Sequence, residues 1–385
     1  MDRNARTSTG RLRLLAVDAS MIGGGAERQM LLLLAHLDRK RFAPTLCLLA
    51  EEGPLLPLVP DDVPVVSLAK RSRYDLPRLV VQLARLLRAH RPDLVFSTVD
   101  YTNSLVMLAA CLARTGVPVV VSETSVQSKA LRDMSFRRLR RAVLKWAYGR
   151  AARVLVHSPG VEMDLRERLG FARARIIFLP NMLDLRAVRR AAEEPAHHRF
   201  LTSPLPLVVT AGRLHPAKGQ ADLIEAVVLL NAHRPCNLLL LGEGADRMRL
   251  EERARDSSSS DRIDFAGFVP NPHALVGRAD IFVSPSHFES FGNAIVEAMA
   301  IGVPVVSTKV PAGPEWIISD RVNGVFASPN DPRDLADKIE LVLRDGDLRG
   351  RVVERAREHV KQYDVRAVVS AYERLFADVA RNVTA

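Results

Sequence analysis

The chain has 385 residues, of which 48% are hydrophobic and 26% are charged, and its formal net charge is +11. This composition is that of a folded globular protein and excludes a disordered chain, while the length fits two domains better than one α/β core. The sequence contains no run of roughly 18 apolar residues, which argues against a membrane-spanning helix.

The first half of the chain alternates short β-branched runs with longer helical patterns, which is typical of a parallel sheet with crossover helices. The predicted strands are Leu12–Val17, Thr45–Leu49, Val63–Leu68, Leu94–Ser97, Val117–Val121, Val154–His157 and Ile176–Leu179. The clearest predicted helices between them are Glu27–Leu37 and Leu76–His90. Because Leu12–Val17 stops at Asp18, it fits a first strand better than a signal-peptide core, and we expect a cytoplasmic protein.

A second series of strands follows in the other half. Its members are Leu207–Thr210, Leu238–Leu241, Ile263–Ala266, Ile281–Val283, Val303–Ser307 and Val325–Ala327. The sequence therefore predicts the α/β class, with two Rossmann-like, doubly wound parallel-sheet domains that face a cleft and bind ligands at the carboxyl ends of their strands. The predicted divisions are a first domain 1–183, a short helix plus the inter-domain connection 184–206, a second domain 207–364, and a helix 365–385 that crosses back to the first domain.

The positive charge is concentrated in the first half of the chain. Residues 1–200 contain 33 Lys and Arg against 19 Asp and Glu, whereas residues 201–385 contain 22 against 25. The basic residues are densest in Lys129–Arg153, where they interleave with apolar side chains. Such a segment suits an anionic membrane surface, but a solvated helix face would have the same composition. Since no zinc-finger, RRM or helix-turn-helix pattern positions the charge, we expect no nucleic-acid partner.

Neither the cysteines nor the acidic motifs indicate a metal site. Cys47, Cys111 and Cys236 are far apart in apolar surroundings and are predicted as buried, reduced thiols. The only Asp-x-Asp string, Asp345-Gly346-Asp347, falls in a turn between two C-terminal helices, away from any strand end. We predict no metal ligand in this chain.

A glycine-rich loop follows the first predicted strand. Its sequence is Gly23-Gly24-Gly25-Ala26-Glu27, and an apolar helix comes directly after it. Consecutive glycines let the backbone approach a bulky anion, and the helix N-terminus offers amide groups. The loop is not the dinucleotide fingerprint, because Arg28 stands where that pattern needs its third glycine, and it has no P-loop lysine. A plain turn remains an alternative.

A stronger signal follows the first strand of the second domain. The segment Ala211–Gly219 reads Ala-Gly-Arg-Leu-His-Pro-Ala-Lys-Gly and leads into a predicted helix Asp222–Leu230. Arg213 and Lys218 therefore lie on one loop at the carboxyl end of a strand, where both cations can converge on a diphosphate.

The most specific motif is Ser286–Ala298, which contains two carboxylates seven residues apart. Glu289 belongs to the loop after a strand, and Glu297 falls in the early part of the helix that begins near Asn293. Helical side chains lean toward the N-terminus, so Glu297 is expected to point back toward that loop. Carboxylates beside an amide-rich helix start suit sugar and ribose hydroxyls next to a phosphate.

In chain order, these motifs resemble a retaining GT-B glycosyltransferase of the glycosyl transferases group 1 family, of the bacterial lipopolysaccharide, capsule and exopolysaccharide type. The matching pieces are Gly23–Glu27, Gly212–Gly219, Gly242-Glu243-Gly244, Phe265–Pro270, Glu289 with Glu297, Gly313–Glu315 and Asn323-Gly324. They span nearly the whole chain. The resemblance implies transfer of a sugar from a nucleotide diphosphate with retention of configuration and without a cofactor. It also implies that domain 1–183 binds the acceptor and that domain 207–364 binds the nucleotide sugar.

The resemblance also implies roles for single residues. Arg213 and Lys218 would bind the diphosphate and stabilise it as leaving group, which offsets its charge without a metal. Glu289 would contact the donor sugar, and Glu297 would hold the ribose hydroxyls. The other expected contacts are the backbone around Phe291, Gly292 and Asn293 at the sugar and phosphates, Val269 near the base, and Gly24 and Gly25 over the diphosphate. Arg213, Lys218 and Glu289 are thus the catalytic candidates.

The acceptor side departs from the pattern of many relatives, which carry a histidine near the end of the fifth strand. That stretch here reads Val121-Ser122-Glu123, so Glu123 has either an acceptor-side or a structural role. His157 follows the next strand, where a locally hydrogen-bonded histidine is more common than a catalyst. Glu27, Glu123 and His157 are the acceptor-side candidates.

The sequence thus favours transfer of a hexose or N-acetylhexosamine unit, with a UDP-sugar as donor, to a glycan or polyprenyl-diphosphate-linked saccharide. The basic first half suggests a cytoplasmic protein that is peripheral on the inner face of the membrane. Two alternatives remain: an inactive GT-B-like protein that binds a membrane or polyanion, and a sugar-nucleotide epimerase of the same fold.

Overall fold

The computed structural model describes residues 10–72, 74–127, 137–311 and 313–381. The chain divides into two compact units. Unit 1 is Met1–Met182 with Val365–Ala385, and unit 2 is Leu183–Asp364.

Unit 1 is built on a parallel sheet. Its strands are β1 Leu12–Asp18, β2 Phe42–Leu48, β3 Val65–Ser67, β4 Leu94–Thr98, β5 Val119–Glu123, β6 Arg153–Val156 and β7 Ile176–Phe178. Its helices are α1 Gly25–His36, α2 Leu76–His90, α3 Asp100–Ala113, α4 Arg137–Arg150 and α5 Pro159–Met163. The strand order is β3-β2-β1-β4-β5-β6-β7, so the winding direction reverses between β1 and β4, which pair from Leu14↔Leu94.

Unit 2 repeats this plan. Its strands are β8 Leu207–Ala211, β9 Asn237–Leu241, β10 Ile263–Gly267, β11 Ile281–Ser284, β12 Val305–Thr308 and β13 Val325–Ala327. Its helices are α6 Leu185–Glu193, α7 Gln220–Asn231, α8 Arg247–Arg255, α9 Pro272–Val276, α10 Asn293–Ile301, α11 Pro314–Ile317, α12 Pro332–Arg344 and α13 Gly346–His359. The order β10-β9-β8-β11-β12-β13 reverses between β8 and β11.

Alternation along the strands of unit 2 builds two apolar layers. Val208 and Leu238 belong to one buried cluster, whereas Val209 and Leu239 belong to another. Successive strand side chains point to opposite faces, so a strand covered by helices on both sides is apolar along its length. The α/β class with two doubly wound parallel sheets is confirmed.

The last helix, α14 Val365–Arg381, belongs to unit 1. Its buried face includes Tyr372 and Phe376. Tyr372 packs edge-on against Phe96 with ring centroids 5.9 Å apart, and Phe376 packs at a tilt against the same ring with centroids 5.4 Å apart. Aromatic pairs at this distance add to the stability from burial. Glu373 also accepts a hydrogen bond from the backbone N–H of Asp38 at 2.7 Å, which fixes the helix against the end of α1.

The segment 184–206, predicted as a connection between domains, lies within unit 2. Asp184 caps α6 by accepting a hydrogen bond from the N–H of Ala187 at 2.8 Å. Leu185 and Val188 of this helix are buried in the same cluster as Phe282 of β11. The short helix predicted within this segment is therefore present as α6, with two of its side chains buried.

Most strands begin or end at residues slightly different from those predicted, and the differences at β2 and β5 have structural causes. Strand β2 begins at Phe42 and includes Pro44, because β3 pairs with β2 only from Leu46 onward and Pro44 has no partner to donate to on that side. Strand β5 runs to Glu123, so this residue is the last of the strand and is buried. One cysteine prediction is wrong, since Cys111 is exposed on α3 while Cys47 and Cys236 are buried.

Candidate functional site

The loop that carries Arg213 and Lys218 lies at the switch point of unit 2. Strands β8 and β11 are neighbours there, and ligands of doubly wound sheets bind at such points. A 3₁₀ turn Pro216–Lys218 ends at Gly219, whose φ of +64° lets the chain turn directly into α7. The side chain of Arg213 is exposed and that of Lys218 is half-buried.

The loop after β11 packs on the loop after β8. The backbone N–H groups of His287 and Phe288 both donate to the carbonyl of Ala217, at 2.9 and 3.2 Å. A side chain on Gly219 would overlap the carbonyl oxygen of Pro285, so only glycine permits this approach. The Nε2 atom of His287 also lies 2.7 Å from a carboxylate oxygen of Asp222 in the first turn of α7.

This packing brings two candidate residues into direct contact. The ammonium of Lys218 donates to Oε2 of Glu289, and the two side chains are 31% and 19% exposed. The predicted diphosphate cation and the predicted sugar carboxylate are therefore parts of one cluster. Helix α10 begins a few residues later, where Gly292 adopts φ +109° and its carbonyl accepts from the N–H of Ile295 at 3.0 Å.

Glu297 lies in the middle of α10 and contacts a histidine from another helix. Its Oε2 atom is 3.3 Å from Nε2 of His273 on α9. Phe291 is buried and packs edge-on against Tyr363, with ring centroids 5.6 Å apart. Val269, which follows β10, is half-buried against the apolar cluster of unit 2.

The glycine-rich loop lies at the switch point of unit 1, which is formed by β1 and β4. Gly24 is the N-cap of α1 and Gly25 is its first residue, while Glu27 lies in the first turn and its carboxylate folds back over Gly24. The carboxylate of Asp18, at the end of β1, accepts from Thr98 Oγ1 at 2.8 Å and from the N–H of Ala19 at 2.7 Å. Burial raises the pKa of Asp18 to about 7, and the nearby charge of Glu27 acts in the same direction.

Glu123 is enclosed at the carboxyl end of β5. Its carboxylate accepts from the hydroxyl of Tyr148 at 2.7 Å, from the side-chain amide of Gln127 at 2.8 Å and from the N–H of Ser125 at 2.8 Å. Burial raises its pKa to about 7, although these three hydrogen bonds favour the charged form. The side chain of Asn103 continues the network by donating to the Tyr148 hydroxyl at 3.0 Å.

His157 has the environment of a structural histidine. Its Nε2 atom lies 2.6 Å from the Ser122 hydroxyl, and its Nδ1 atom lies 2.8 Å from the carbonyl of Leu179. A neutral ring satisfies both partners when Nδ1–H donates to the carbonyl and the serine hydroxyl donates to Nε2. Burial lowers the pKa of His157 to about 4, which keeps it neutral near pH 7.

The comparisons with known proteins agree with this architecture. The model described as "Glycosyltransferase Family 4" matches residues 23–187, and the model described as "Glycosyl transferases group 1" matches residues 195–359. The two models together cover most of both units. Each model matches less than half of the chain, so unit 1 resembles one glycosyltransferase family and unit 2 resembles the group 1 family.

The chain is also similar to several curated proteins. It is 38% identical over 45% of its length to the lipopolysaccharide core biosynthesis glycosyltransferase LpsE of Rhizobium meliloti. It is 24% identical over 79% of its length to a Campylobacter jejuni enzyme named N-acetylgalactosamine-N,N'-diacetylbacillosaminyl-diphospho-undecaprenol 4-alpha-N-acetylgalactosaminyltransferase, 80% of which is covered. The match to LpsE and to a second curated relative spans only about half of each of those proteins, at 50% and 46%.

Among solved structures, the chain superposes on HepE of Anabaena in complex with UDP. The TM-score is 0.81 at 21% sequence identity, and the match covers 95% of this chain and 100% of the other. At this level of sequence identity the similarity shows the fold alone, and the predicted GT-B architecture is confirmed.

The structure adds residues that sequence reasoning missed. In the sequence, Asp18 only marks the end of a hydrophobic run, and Tyr148 is one of the apolar residues within the basic segment Lys129–Arg153. His273 stands in the unremarkable sequence Asn-Pro-His, and nothing in its spacing connects it with Glu297. The one available signal was for Asp18, because a carboxylate at the end of the first strand of such a sheet lies at the switch point.

The basic segment Lys129–Arg153 is described only from residue 137 onward, so its first part lies outside the described residues. Helix α4 buries Leu144, Ala147 and Tyr148 on one face. Arg138, Arg140, Arg141, Lys145 and Arg150 are exposed on the rest of its surface. Leu139 is 64% exposed among these cations, which gives the surface an amphipathic character.

Two further observations concern the described part of the chain. No helix there has both the length and the apolar composition to cross a membrane. Nor does any cluster of three or more His, Cys, Asp and Glu side chains within the described ranges form a metal-binding group.

Proposed function

We propose that this protein transfers a hexose or N-acetylhexosamine unit from a nucleotide-diphosphate sugar to a saccharide acceptor. The observation that carries the proposal is the cluster at the switch point of unit 2, where Lys218 and Glu289 meet across two packed loops. Arg213 lies on the same loop as Lys218, and the N-terminus of α10 follows the loop of Glu289. This arrangement joins two cations and a helix N-terminus with a carboxylate, as the diphosphate and hydroxyls of such a donor require.

In this proposal the cations act on the leaving group. Arg213 and Lys218 bind the diphosphate and offset the charge that develops as the bond to the sugar breaks, without a metal ion or other cofactor. Glu289 accepts hydrogen bonds from sugar hydroxyls, Glu297 does so from the ribose, and Val269 lies near the base. The backbone around Phe291 contributes amides.

We further propose that the donor is a UDP-sugar and that the anomeric configuration is retained. The complex of HepE with UDP supports the choice of nucleotide. The acceptor is a glycan or a polyprenyl-diphosphate-linked saccharide of cell-surface polysaccharide synthesis, which the names of two relatives support. The protein acts in the cytoplasm at the inner face of the membrane, with the basic surface of α4 toward anionic lipid.

A thermal-shift panel of UDP, GDP, ADP and their sugar conjugates tests the donor site. A ligand at 100 times its dissociation constant should add about 2.7 kcal/mol of stability. We expect a shift with UDP and UDP-sugars that disappears in the double variant Arg213→Ala/Lys218→Ala. The matched control Arg255→Ala/Arg344→Ala removes two positive charges at the C-terminal ends of α8 and α12 and should keep the shift.

Three outcomes would contradict parts of this proposal. A shift with GDP or ADP alone would show that the donor nucleotide is not UDP, and it would leave the proposed diphosphate site unchanged. A shift that survives in the double variant would place the nucleotide elsewhere. Nucleotide binding with no sugar transfer to any saccharide acceptor would favour the inactive protein or the epimerase, and incubation with UDP-sugar followed by analysis of the sugar would separate these two.

A further inference from the structure

Helix α6 connects the two helices that carry His273 and Glu297. The side-chain amide of Asn271, which caps α9, donates to the carbonyl of Ala191 on α6 at 2.8 Å. Arg189 on α6 donates to the carbonyl of Ala300 on α10 at 3.0 Å. The segment between the predicted domains therefore has a structural task in unit 2, because it fixes α9 and α10 relative to each other.

The anchoring of α9 is reinforced on its other side. Arg278 donates through Nη1 to the carbonyl of Ala192 at 3.0 Å and to the carbonyl of Ala274 at 2.6 Å. Ala274 and Leu275 of α9 are themselves buried. A five-residue helix has little stability of its own, so these contacts determine where His273 lies.

In the contact between His273 and Glu297, the histidine must be the hydrogen-bond donor. Nε2 of the ring lies 3.3 Å from Oε2 of the carboxylate, and the two side chains are 20% and 29% exposed. A carboxylate can only accept, so this geometry is favourable only when Nε2 carries a proton and donates it. One carboxylate oxygen is then occupied, and the rotation of the Glu297 side chain is restricted.

We propose that His273 is a positioning residue that fixes the carboxylate of Glu297 for hydrogen bonds from the ribose of the donor. The inference rests on the proposed function, because it requires that Glu297 bind the ribose. His273 does not touch the reacting atoms, and its effect passes entirely through Glu297. The affinity for a ligand without ribose hydroxyls should therefore not depend on His273.

The test compares a nucleoside diphosphate with its 2′,3′-dideoxy analogue. The probe is whichever of UDP, GDP and ADP binds the wild-type protein most tightly, and affinities are measured by isothermal titration calorimetry. We expect His273→Leu to weaken binding of the parent nucleotide about 3- to 10-fold, as loss of one orienting hydrogen bond does. Binding of the dideoxy analogue should change by less than about 2-fold.

Two further variants separate positioning from packing. His273→Gln keeps a side-chain N–H donor and should restore most of the lost affinity. The matched control His233→Leu breaks a similar contact, in which Nε2 lies 3.2 Å from Oε2 of Glu340 on the surface of unit 2. It should leave the affinity for both nucleotides unchanged.

Glu297→Ala distinguishes a failure of the inference from a failure of the proposed function. It should abolish the preference for the parent nucleotide over the dideoxy analogue. If the preference persists in Glu297→Ala, the ribose role of Glu297 is wrong and the inference falls with it. If Glu297→Ala removes the preference but His273→Leu leaves it intact, or weakens both nucleotides equally, only the positioning role is overturned.

Discussion

Lys218 and Glu289 form an ion pair with each other. Their contact partly neutralises both groups, so a diphosphate must compete with Glu289 for the ammonium of Lys218. Ion pairs at the protein surface contribute about 0.2–1 kcal/mol, and this pair is still partly accessible to water. The pair therefore keeps the lysine oriented at little cost to binding.

This competition predicts opposite effects of one substitution on binding and turnover. Glu289→Gln should bind UDP as tightly as the wild type or up to about 5-fold more tightly, because Lys218 is released. Transfer of the sugar should fall at least about 100-fold, because the proposed sugar contact is lost. Calorimetry with UDP and a transfer assay provide the two measurements, and weaker UDP binding by Glu289→Gln would contradict the model.

The raised pKa values of Asp18 and Glu123 predict how the stability of the protein depends on pH. The pKa of each is raised to about 7 in the folded protein, from ordinary values of 3.8 and 4.5. A carboxyl whose folded pKa is raised contributes stability that is complete below its unfolded pKa and is lost as the pH rises through the folded pKa. The pKa of His157 is lowered to about 4, so its contribution has the opposite sign and is complete above about pH 6.5.

Among the carboxyls that the structure describes, Asp18 and Glu123 are the two whose pKa is raised to about 7, above the ordinary pKa of histidine. The midpoint of urea unfolding should therefore fall between about pH 6.5 and pH 8. Asp18→Asn and Glu123→Gln should each make this fall shallower, and the double variant should come close to removing it. Equal slopes in the wild type and the double variant would show that neither carboxyl has a raised pKa.

At the scale of elements, the approach of two loops in unit 2 depends on Gly219. Its φ of +64° is unfavourable for other residues, and a Cβ there would overlap the carbonyl oxygen of Pro285. Gly219→Ala should lower the free energy of unfolding by about 2 kcal/mol or more, because strain and overlap add. The same variant should weaken UDP binding, since the loops of Lys218 and Glu289 must separate.

A matched control for Gly219→Ala is available in the same unit. Gly350 lies inside α13, where a Cβ would meet nothing within 4 Å. Gly350→Ala should raise the free energy of unfolding by about 0.5–1 kcal/mol and leave UDP binding unchanged. Similar unfolding midpoints for the two alanine variants would show that the loops tolerate the change.

The sequence was sufficient for the elements and their order, because buried parallel strands are nearly continuous runs of Val, Leu and Ile. It also located Lys218 and Glu289, since loops at the carboxyl ends of neighbouring strands must meet. Its errors occur where tertiary contacts override local composition. Glu123 ends a buried strand because Tyr148, 25 residues later, donates to it. The pairing of His273 with Glu297 depends on how α6 packs, which no local pattern encodes.

At the scale of the whole molecule, charge and fold are distributed differently. The two units share one plan of parallel strands and crossover helices, but the excess of positive charge lies in residues 1–200. Unit 2 carries the cations of the proposed donor site, although it has no general excess of positive charge. The exposed cations of α4 form a separate surface on unit 1, and a donor site within unit 2 does not require them.

The basic surface predicts binding to anionic lipid with a strong dependence on salt. At low ionic strength, we expect the protein to sediment with vesicles of phosphatidylcholine and phosphatidylglycerol, but not with phosphatidylcholine alone. Each basic residue near the lipid contributes about 1 kcal/mol, so Arg138→Gln/Arg140→Gln/Lys145→Gln should weaken partitioning roughly 100-fold. The control Arg249→Gln/Arg255→Gln/Arg344→Gln removes three cations from unit 2 and should have little effect. Binding that persists at about 1 M salt would exclude an electrostatic surface, because charges are then screened beyond roughly 3 Å.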